Sequence, residues 1–237
     1  MFKKKKIVAI IPARKGSKGI KNKNFKLFNG KPLIYWTLKS AKKSKYLDKI
    51  LVSTDSKKIQ NFCIKNNVLS PFIRPKKISH SKARAHDVIL HTIKFLKNNY
   101  SYKPDAVVYL QPTSPLRESF DIDNCCKIFM KYKPDSLVSI VKLHHNLNPE
   151  EVYQIKNKKK LIKFSKKKMI PLRQTKKNYF GKNGAAISIT DIKKINQFVD
   201  GGNLIGYEMN KLKSIDIDDL DDFKHASVIQ KAFKFNN

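Results

Sequence analysis

The chain has 237 residues, enough to bury a full core, and its length suits one domain with an elaboration better than two independent domains. Its 51 lysines and arginines against 18 acidic residues give a formal net charge of +33, a field that attracts nucleic acid, acidic membrane and small polyanions alike. The 41% hydrophobic fraction is that of a globular protein, no apolar stretch approaches the roughly 18 residues of a membrane span, and neither interleaved aromatics nor a recognition helix marks a nucleic-acid partner.

Lysines Lys3 to Lys6 precede an apolar run, as in a secretory signal, but that run ends at Pro12 after five residues and Arg14 follows. It is too short for an export segment, so a cytoplasmic protein is expected. Ile7 to Ile11 are apolar and mostly β-branched, which suits a strand covered on both faces. The strand runs into a basic loop from Pro12 to Asn24, at the strand end where open α/β sheets bind ligands. Gly16 and Gly19 fit neither the dinucleotide fingerprint nor the P-loop, and by themselves they permit tight turns. Arg14, a fork of donors, and Lys23, a flexible point charge, are placed to face one polyphosphate.

Pro32 suits a helix start, with Leu33, Trp36, Thr37 and Ser40 at helical spacing after it. A strand is expected from Ile50 to Thr54, ending at Asp55, then helices around Ile59 to Ile64 and Val88 to Leu96. A second buried strand, Ala106 to Leu110, delivers Gln111-Pro112-Thr113-Ser114-Pro115-Leu116-Arg117 at its carboxyl end. A helix near Ile122 to Tyr132 and a strand from Leu137 to Val141 continue the alternation. The pattern predicts an α/β fold: a mostly parallel sheet flanked by helices. Cys63, Cys125 and Cys126 lack metal-binding spacing and read as buried thiols in a reducing compartment.

The rhythm breaks over about 142–182, where lysines crowd around Val152 to Ile155 and Leu161 to Phe164. This reads as an inserted subdomain, either a loop excursion or a hairpin that completes itself against a second subunit. Regular elements then resume as a strand from Ala185 to Ile189, a short helix near Ile192 to Phe198, strands from Leu204 to Met209 and Ser214 to Asp218, and a final helix into Ala232. In Ser214-Ile215-Asp216-Ile217-Asp218, strand alternation buries the isoleucines and sets Asp216 and Asp218 together on the other face. Two hard carboxylates there suit Mg²⁺, which shares phosphate oxygens and keeps waters, so an incomplete protein cage is expected. Asp218 to Asp222 also suit the first turn of the last helix, which accounts for the later aspartates but not for Asp216, which lies before it. His144 and His145 are adjacent and would face opposite ways on a strand.

Taken in order, Pro12-Ala13-Arg14-Lys15-Gly16-Ser17-Lys18-Gly19, Asn22-Lys23-Asn24, Val52-Ser53-Thr54-Asp55, the segment from Gln111 to Arg117, Arg173-Gln174, Asn183-Gly184-Ala185 and Ser214 to Asp218 closely resemble the acylneuraminate cytidylyltransferases, or CMP-sialic acid synthetases, over nearly the whole chain. The resemblance implies a Rossmann-like nucleotide-diphospho-sugar transferase fold, a homodimer with the insertion as its dimerisation arm, and CTP plus an acidic nine-carbon 2-keto sugar as substrates. By position, it implies that Arg14 and Lys23 bind the β- and γ-phosphates and stabilise pyrophosphate as it leaves, and that Asn24 contacts the ribose or nucleotide. It sets Arg74 on the cytosine side, Gln111 and Thr113 at the sugar, and Arg173 at the sugar carboxylate or the phosphates. Asp216 and Asp218 would hold the metal, with Asp218 a candidate for removing the hydroxyl proton. The chain departs from the family pattern at Ala83, Ala85 and Gly181, which bears on the base and the sugar more than on the reaction. Legionaminic, pseudaminic and Kdo-type acids are the alternative acceptors, and a nucleic-acid-binding protein on a degenerate transferase scaffold is the alternative of another class.

Overall fold

A computed structural model describes residues 5–17, 19–165 and 177–235. Strand β1 (Ile7–Pro12) lies inside the sheet, because its apolar run has two faces to cover. A small ribbon, β2 (Leu27–Phe28) with β3 (Lys31–Pro32), leads into α1 (Leu33–Lys43), and Pro32 stands at the helix N-cap. Then come β4 (Lys49–Ser53), α2 (Lys57–Lys65), α3 (Ala85–Tyr100) and β5 (Ala106–Tyr109). Helix α4 (Ser119–Tyr132) opens on a capping box between Glu118 and Asp121 and is followed by β6 (Ser136–Lys142).

The sheet pairs β4 and β5 in parallel on either side of β1. Beyond β5 the neighbour is β10 (Ser188–Asp191), which runs antiparallel to both β5 and β6. β11 (Leu204–Glu208) lies parallel to β6, and β9 (Phe180–Lys182) pairs antiparallel with its far end. The sheet is therefore mostly parallel, with β9 and β10 reversed. One face is packed by α1, α2 and α4 through Ile34, Leu38, Ile59, Cys63, Cys125 and Phe129, and the other by α3 through Ile89 and Leu96. A third cluster joins Leu33 and Trp36 of α1 to Ile217 and to Ala226 of the last helix, α5 (Leu220–Phe233).

Three local expectations are corrected. The strand expected from Ala185 begins only at Ser188, because Gly184 takes a left-handed φ of 68° and the chain turns there. The helix expected near Ile192 is a series of turns, in which the Asp191 carboxylate accepts from the Lys193 amide and Lys194 N donates back to Asp191 O. Ser214 to Asp218 are irregular and join no ladder, and the Ile217 amide bonds instead to Thr113 O.

Within the insertion, β7 (Tyr153–Lys156) and β8 (Lys160–Lys163) form an antiparallel hairpin that turns through Asn157 and Lys158, both left-handed. Every residue of both strands is exposed.

Candidate active site

The loop after β1 is built from its own backbone. The Lys15 amide donates to Asp55 Oδ1 at 2.6 Å, and Asn24 Nδ2 donates to Arg14 O at 3.0 Å, so Asn24 ties the end of the loop to its beginning. Asn22, left-handed at φ 54°, starts the tight turn that lifts Lys23 across to the other end of the chain. There the Lys23 ammonium donates to Ile217 O and lies 3.7 Å from Asp218 Oδ1. The two glycines differ. A methyl on Gly19 would stand 2.3 Å from Asp218 O, so only glycine allows that approach, whereas Gly16 has no heavy atom within 4 Å of such a methyl.

These contacts close a cleft of about 320 Å³ whose walls include Arg14, Lys23, Asn24, Arg74, Gln111, Thr113 and Asp218. Of the nine expected site residues, seven thus share one cavity; Arg173 lies outside the described residues. Arg74 is held by its own amide on Thr54 O and by Nε on Ser79 Oγ at 3.3 Å. Burial pushes its guanidinium down, Arg14 pushes the same way, and Asp55 and Tyr109 oppose. Arg14 has no ion-pair partner among the described residues. Arg14, Lys23 and Arg74 outnumber Asp218 on the walls of this cleft, and that excess of positive charge suits a polyanion. Ala83 and Ala85 line the same cleft, and neither brings a side-chain hydroxyl to it.

Asp216 and Asp218 stand close enough for their charges to act on one another, but they differ in exposure. Ile217 is buried as expected, but Asp218 points into solvent at the cleft wall, while Asp216 is partly buried with its carboxylate against Gly184. A methyl on Gly184 would fall 2.3 Å from Asp216 Oδ2. Burial pushes the Asp216 carboxyl up, Thr113 holds it down through a hydrogen bond, Asp218 and Asp222 push it up, and Lys23 pulls it down. Its Oδ1 is buried without a hydrogen-bond partner among the described residues. That orphaned oxygen beside a second carboxylate fits a hard cation such as Mg²⁺. No cluster of three or more His, Cys, Asp or Glu side chains forms a metal cage among the described residues, so the fit rests on this pair. The later aspartates serve α5, with Asp219 as its cap and Asp222 completing the capping box.

Sequence reasoning missed two supports. Arg117 is fully buried and joins three segments, donating to Gln111 O, to Ala186 O at 2.6 Å and to Thr37 Oγ1 at 2.8 Å. It thereby ties the Gln111–Thr113 loop to the turn that carries Gly184. Burial lowers its pKa to about 10, against the pull of Asp121 and Cys125. An arginine inside an otherwise apolar Pro-Leu-Arg stretch was the available signal. Asn183 is the second support. It accepts from Ser139 Oγ at 2.7 Å and donates to Ser214 Oγ at 3.1 Å, fixing where the Asp216 segment begins. His144 and His145 lie outside this cleft, their rings 4.1 Å apart at a separate cavity.

A reversed-strand α/β sheet with a cationic cleft at the carboxyl ends of β1 and β5 defines the α/β nucleotidyltransferase class. The solved CMP-2-keto-3-deoxy-manno-octonic acid synthetase complexed with CTP shares the fold, with a TM-score of 0.69 at 14% identity over 96% of this chain and 99% of that one. The cytidylyltransferase family model matches residues 8–232, and the chain belongs to that family. It is 30% identical over 95% of its length to an N-acylneuraminate cytidylyltransferase of Escherichia coli, covering 52% of that protein. It is 35% identical over 67% of its length to a CMP-N,N'-diacetyllegionaminic acid synthase of Legionella pneumophila, covering 66% of it. The chain spans about half the length of the N-acylneuraminate cytidylyltransferases of bacteria that it matches. No described helix is long and apolar enough to cross a membrane.

Proposed function

We propose that the chain transfers CMP from CTP to the anomeric hydroxyl of a nonulosonic, sialic-type acid, giving the CMP-sugar and pyrophosphate. The observation that carries this reading is the single cleft in which Arg14, Lys23, Arg74, Gln111 and Asp218 converge from distant parts of the chain. The names of the relatives extend it to the acceptor, with a legionaminic, pseudaminic or Kdo-type acid as the alternative.

The attacking hydroxyl and the α-phosphorus need alignment and charge neutralisation more than covalent help. Arg14 and Lys23 supply fixed positive charge for the β- and γ-phosphates as pyrophosphate departs. Lys23 already spans the cleft floor to Asp218, so its ammonium needs only to turn from carboxylate toward phosphate. Asn24 faces the ribose, Arg74 the base, and Gln111 and Thr113 the acid. Asp216 and Asp218 would hold Mg²⁺, which when bound polarises the phosphates and neutralises their charge. Asp218, exposed at the cleft wall, is placed to accept the proton of the acceptor hydroxyl. Arg173 belongs to the same reading as a ligand of the sugar carboxylate or phosphates.

The same reading makes the protein a homodimer through the β7–β8 hairpin, whose exposed Tyr153, Ile155 and Leu161 share one face. It also places it in the cytoplasm, where CTP is made and where the unpaired Cys63, Cys125 and Cys126 stay reduced. The test is pyrophosphate release from purified protein with Mg²⁺, each nucleoside triphosphate and a panel of nonulosonic acids. Release with CTP and at least one acid is expected. Silence with every pair, joined to tight salt-sensitive binding of DNA or RNA, would establish the nucleic-acid reading instead.

A further inference from the structure

Between β11 and α5 the chain carries both carboxylates of the site without pairing to any strand. Side chains therefore have to place it. Its later half is tied to the cleft itself, through the Ile217 amide on Thr113 O and the Lys23 ammonium on Ile217 O. Its earlier half is a single 3₁₀ turn, Lys211–Lys213, capped by the Asn210 side chain, which accepts from the Leu212 amide at 2.9 Å. Lys213, at the end of that turn, reaches across to α4. Its side chain is only 13% exposed, pairs with Glu118 Oε2 and stands 3.6 Å from Asp121 Oδ2. Glu118 and Asp121 are the two acids of the α4 capping box, and the Glu118 amide donates to Asp121 Oδ2 at 3.0 Å. Asp121 is buried and also accepts from the Tyr207 hydroxyl at 3.2 Å.

We propose that Lys213 is a positioning residue: its ammonium, held by Glu118 and Asp121, sets the Asp216 carboxylate at its working distance from the Gln111–Thr113 loop. The inference rests on the cytidylyltransferase reading and adds to it the device that aligns two walls of the site. The first turn of α4 is the common reference. Arg117, the residue before Glu118, fixes the loop through Gln111 O and the Gly184 turn through Ala186 O, and its charge also attracts Asp121. Lys213 fixes the segment that carries Asp216 to the same turn, three residues upstream of that carboxylate. Most lysines of this chain are exposed, where an ion pair contributes little. Lys213 differs, because removing its ammonium leaves a buried and a half-buried carboxylate side by side and uncompensated. The outer partners of a cation site act in this way, by orienting the groups that touch the ion.

The experiment compares wild type with Lys213→Met, Lys213→Arg and Tyr207→Phe by steady-state kinetics, thermal melts and Mn²⁺ binding. Binding is read by electron paramagnetic resonance with CTP and no acceptor, and Asp216→Asn marks which part of the signal belongs to the site. Lys213→Met should weaken that Mn²⁺ and lower kcat, each by roughly ten-fold, while the KM for CTP moves by less than about two-fold. Lys213→Arg, which keeps the charge, should restore most of both. Tyr207→Phe removes a bond to the same Asp121 without touching the Asp216 segment, so it should lower the melting temperature and leave Mn²⁺ affinity and kcat as in wild type. Should Lys213→Met fail to fold, Glu118→Gln weakens the same pair from its other end and is expected to shift Mn²⁺ binding and kcat in the same direction. Wild-type Mn²⁺ affinity and kcat in Lys213→Met overturn the inference and leave the activity standing. Equal losses in Lys213→Met and Tyr207→Phe would show a merely structural network and also overturn it. A wild type that turns over no acid overturns the inference together with the reading beneath it.

Discussion

Single atoms decide whether the two ends of the chain form one site. Gly19 lets the first loop touch Asp218 O, Lys23 spans to Ile217 O, and Gly184 makes room for the Asp216 carboxylate. Gly184→Ala is doubly disfavoured, since its φ is 68° and its methyl would stand 2.5 Å from Asp216 Cγ. The carboxylate must move, so turnover should fall by about 100-fold, the scale of losing one preorganised charge, with a stability loss on the order of 1 kcal/mol for alanine at positive φ. Gly16→Ala meets nothing within 4 Å and lacks a left-handed φ, so it should keep near-normal activity and melting temperature. Steady-state kinetics and thermal melts of the two variants check this contrast. Equal behaviour would show that Asp216 is not held by Gly184.

At the scale of elements, periodicity made the packed helices and the central strands legible. Leu33, Trp36 and Thr37 mark α1, and the β-branched runs mark β1 and β5. What stayed hidden is whatever tertiary contact decides. The direction of β10 depends on which strands it lies between, and Ser214 to Asp218 has the alternation of a strand but spends its one inner amide on Thr113 O. Arg14, Lys23 and Asn24 could be chosen from sequence because charge at a strand end has few structural uses. Arg117 could not, because a buried arginine's partners are visible only once its surroundings are known. Helix α3 carries a further consequence of this kind. His91 packs edge-on against Phe72 at 4.7 Å, its Nδ1 is buried without a partner, and burial, aided by Arg74, pushes its imidazole below the usual value. With a folded pKa below the unfolded one of about 6.5, its contribution is complete above that value and is lost as pH falls through the lowered folded one. The melting temperature of wild type should therefore drop more steeply between about pH 7 and about pH 5 than that of His91→Phe, which keeps the ring contact without the titration. Parallel curves would count against it.

For the whole molecule the tension is between charge and association. Two copies each carrying +33 repel one another, so a dimer has to be driven by apolar contact. The β7–β8 hairpin offers that contact: Ile155, 71% exposed, stands directly across from Leu161, 60% exposed, with Tyr153 on the same face. A lone two-stranded hairpin is marginal in water, and nothing else in the described chain pairs with these strands, so burial against a second copy would stabilise both the hairpin and the dimer. Ile155→Asp with Leu161→Lys should convert the dimer to a folded monomer in analytical ultracentrifugation without lowering the melting temperature of the sheet, since neither side chain touches the main core. Salt gives the complementary reading. Raising it screens the repulsion between copies, so the dimer should tighten between about 0.1 M and about 0.5 M, the range over which nucleic-acid binding driven by the same charge would weaken steeply. A dimer that loosens with salt, or one that survives both substitutions, would place the interface elsewhere.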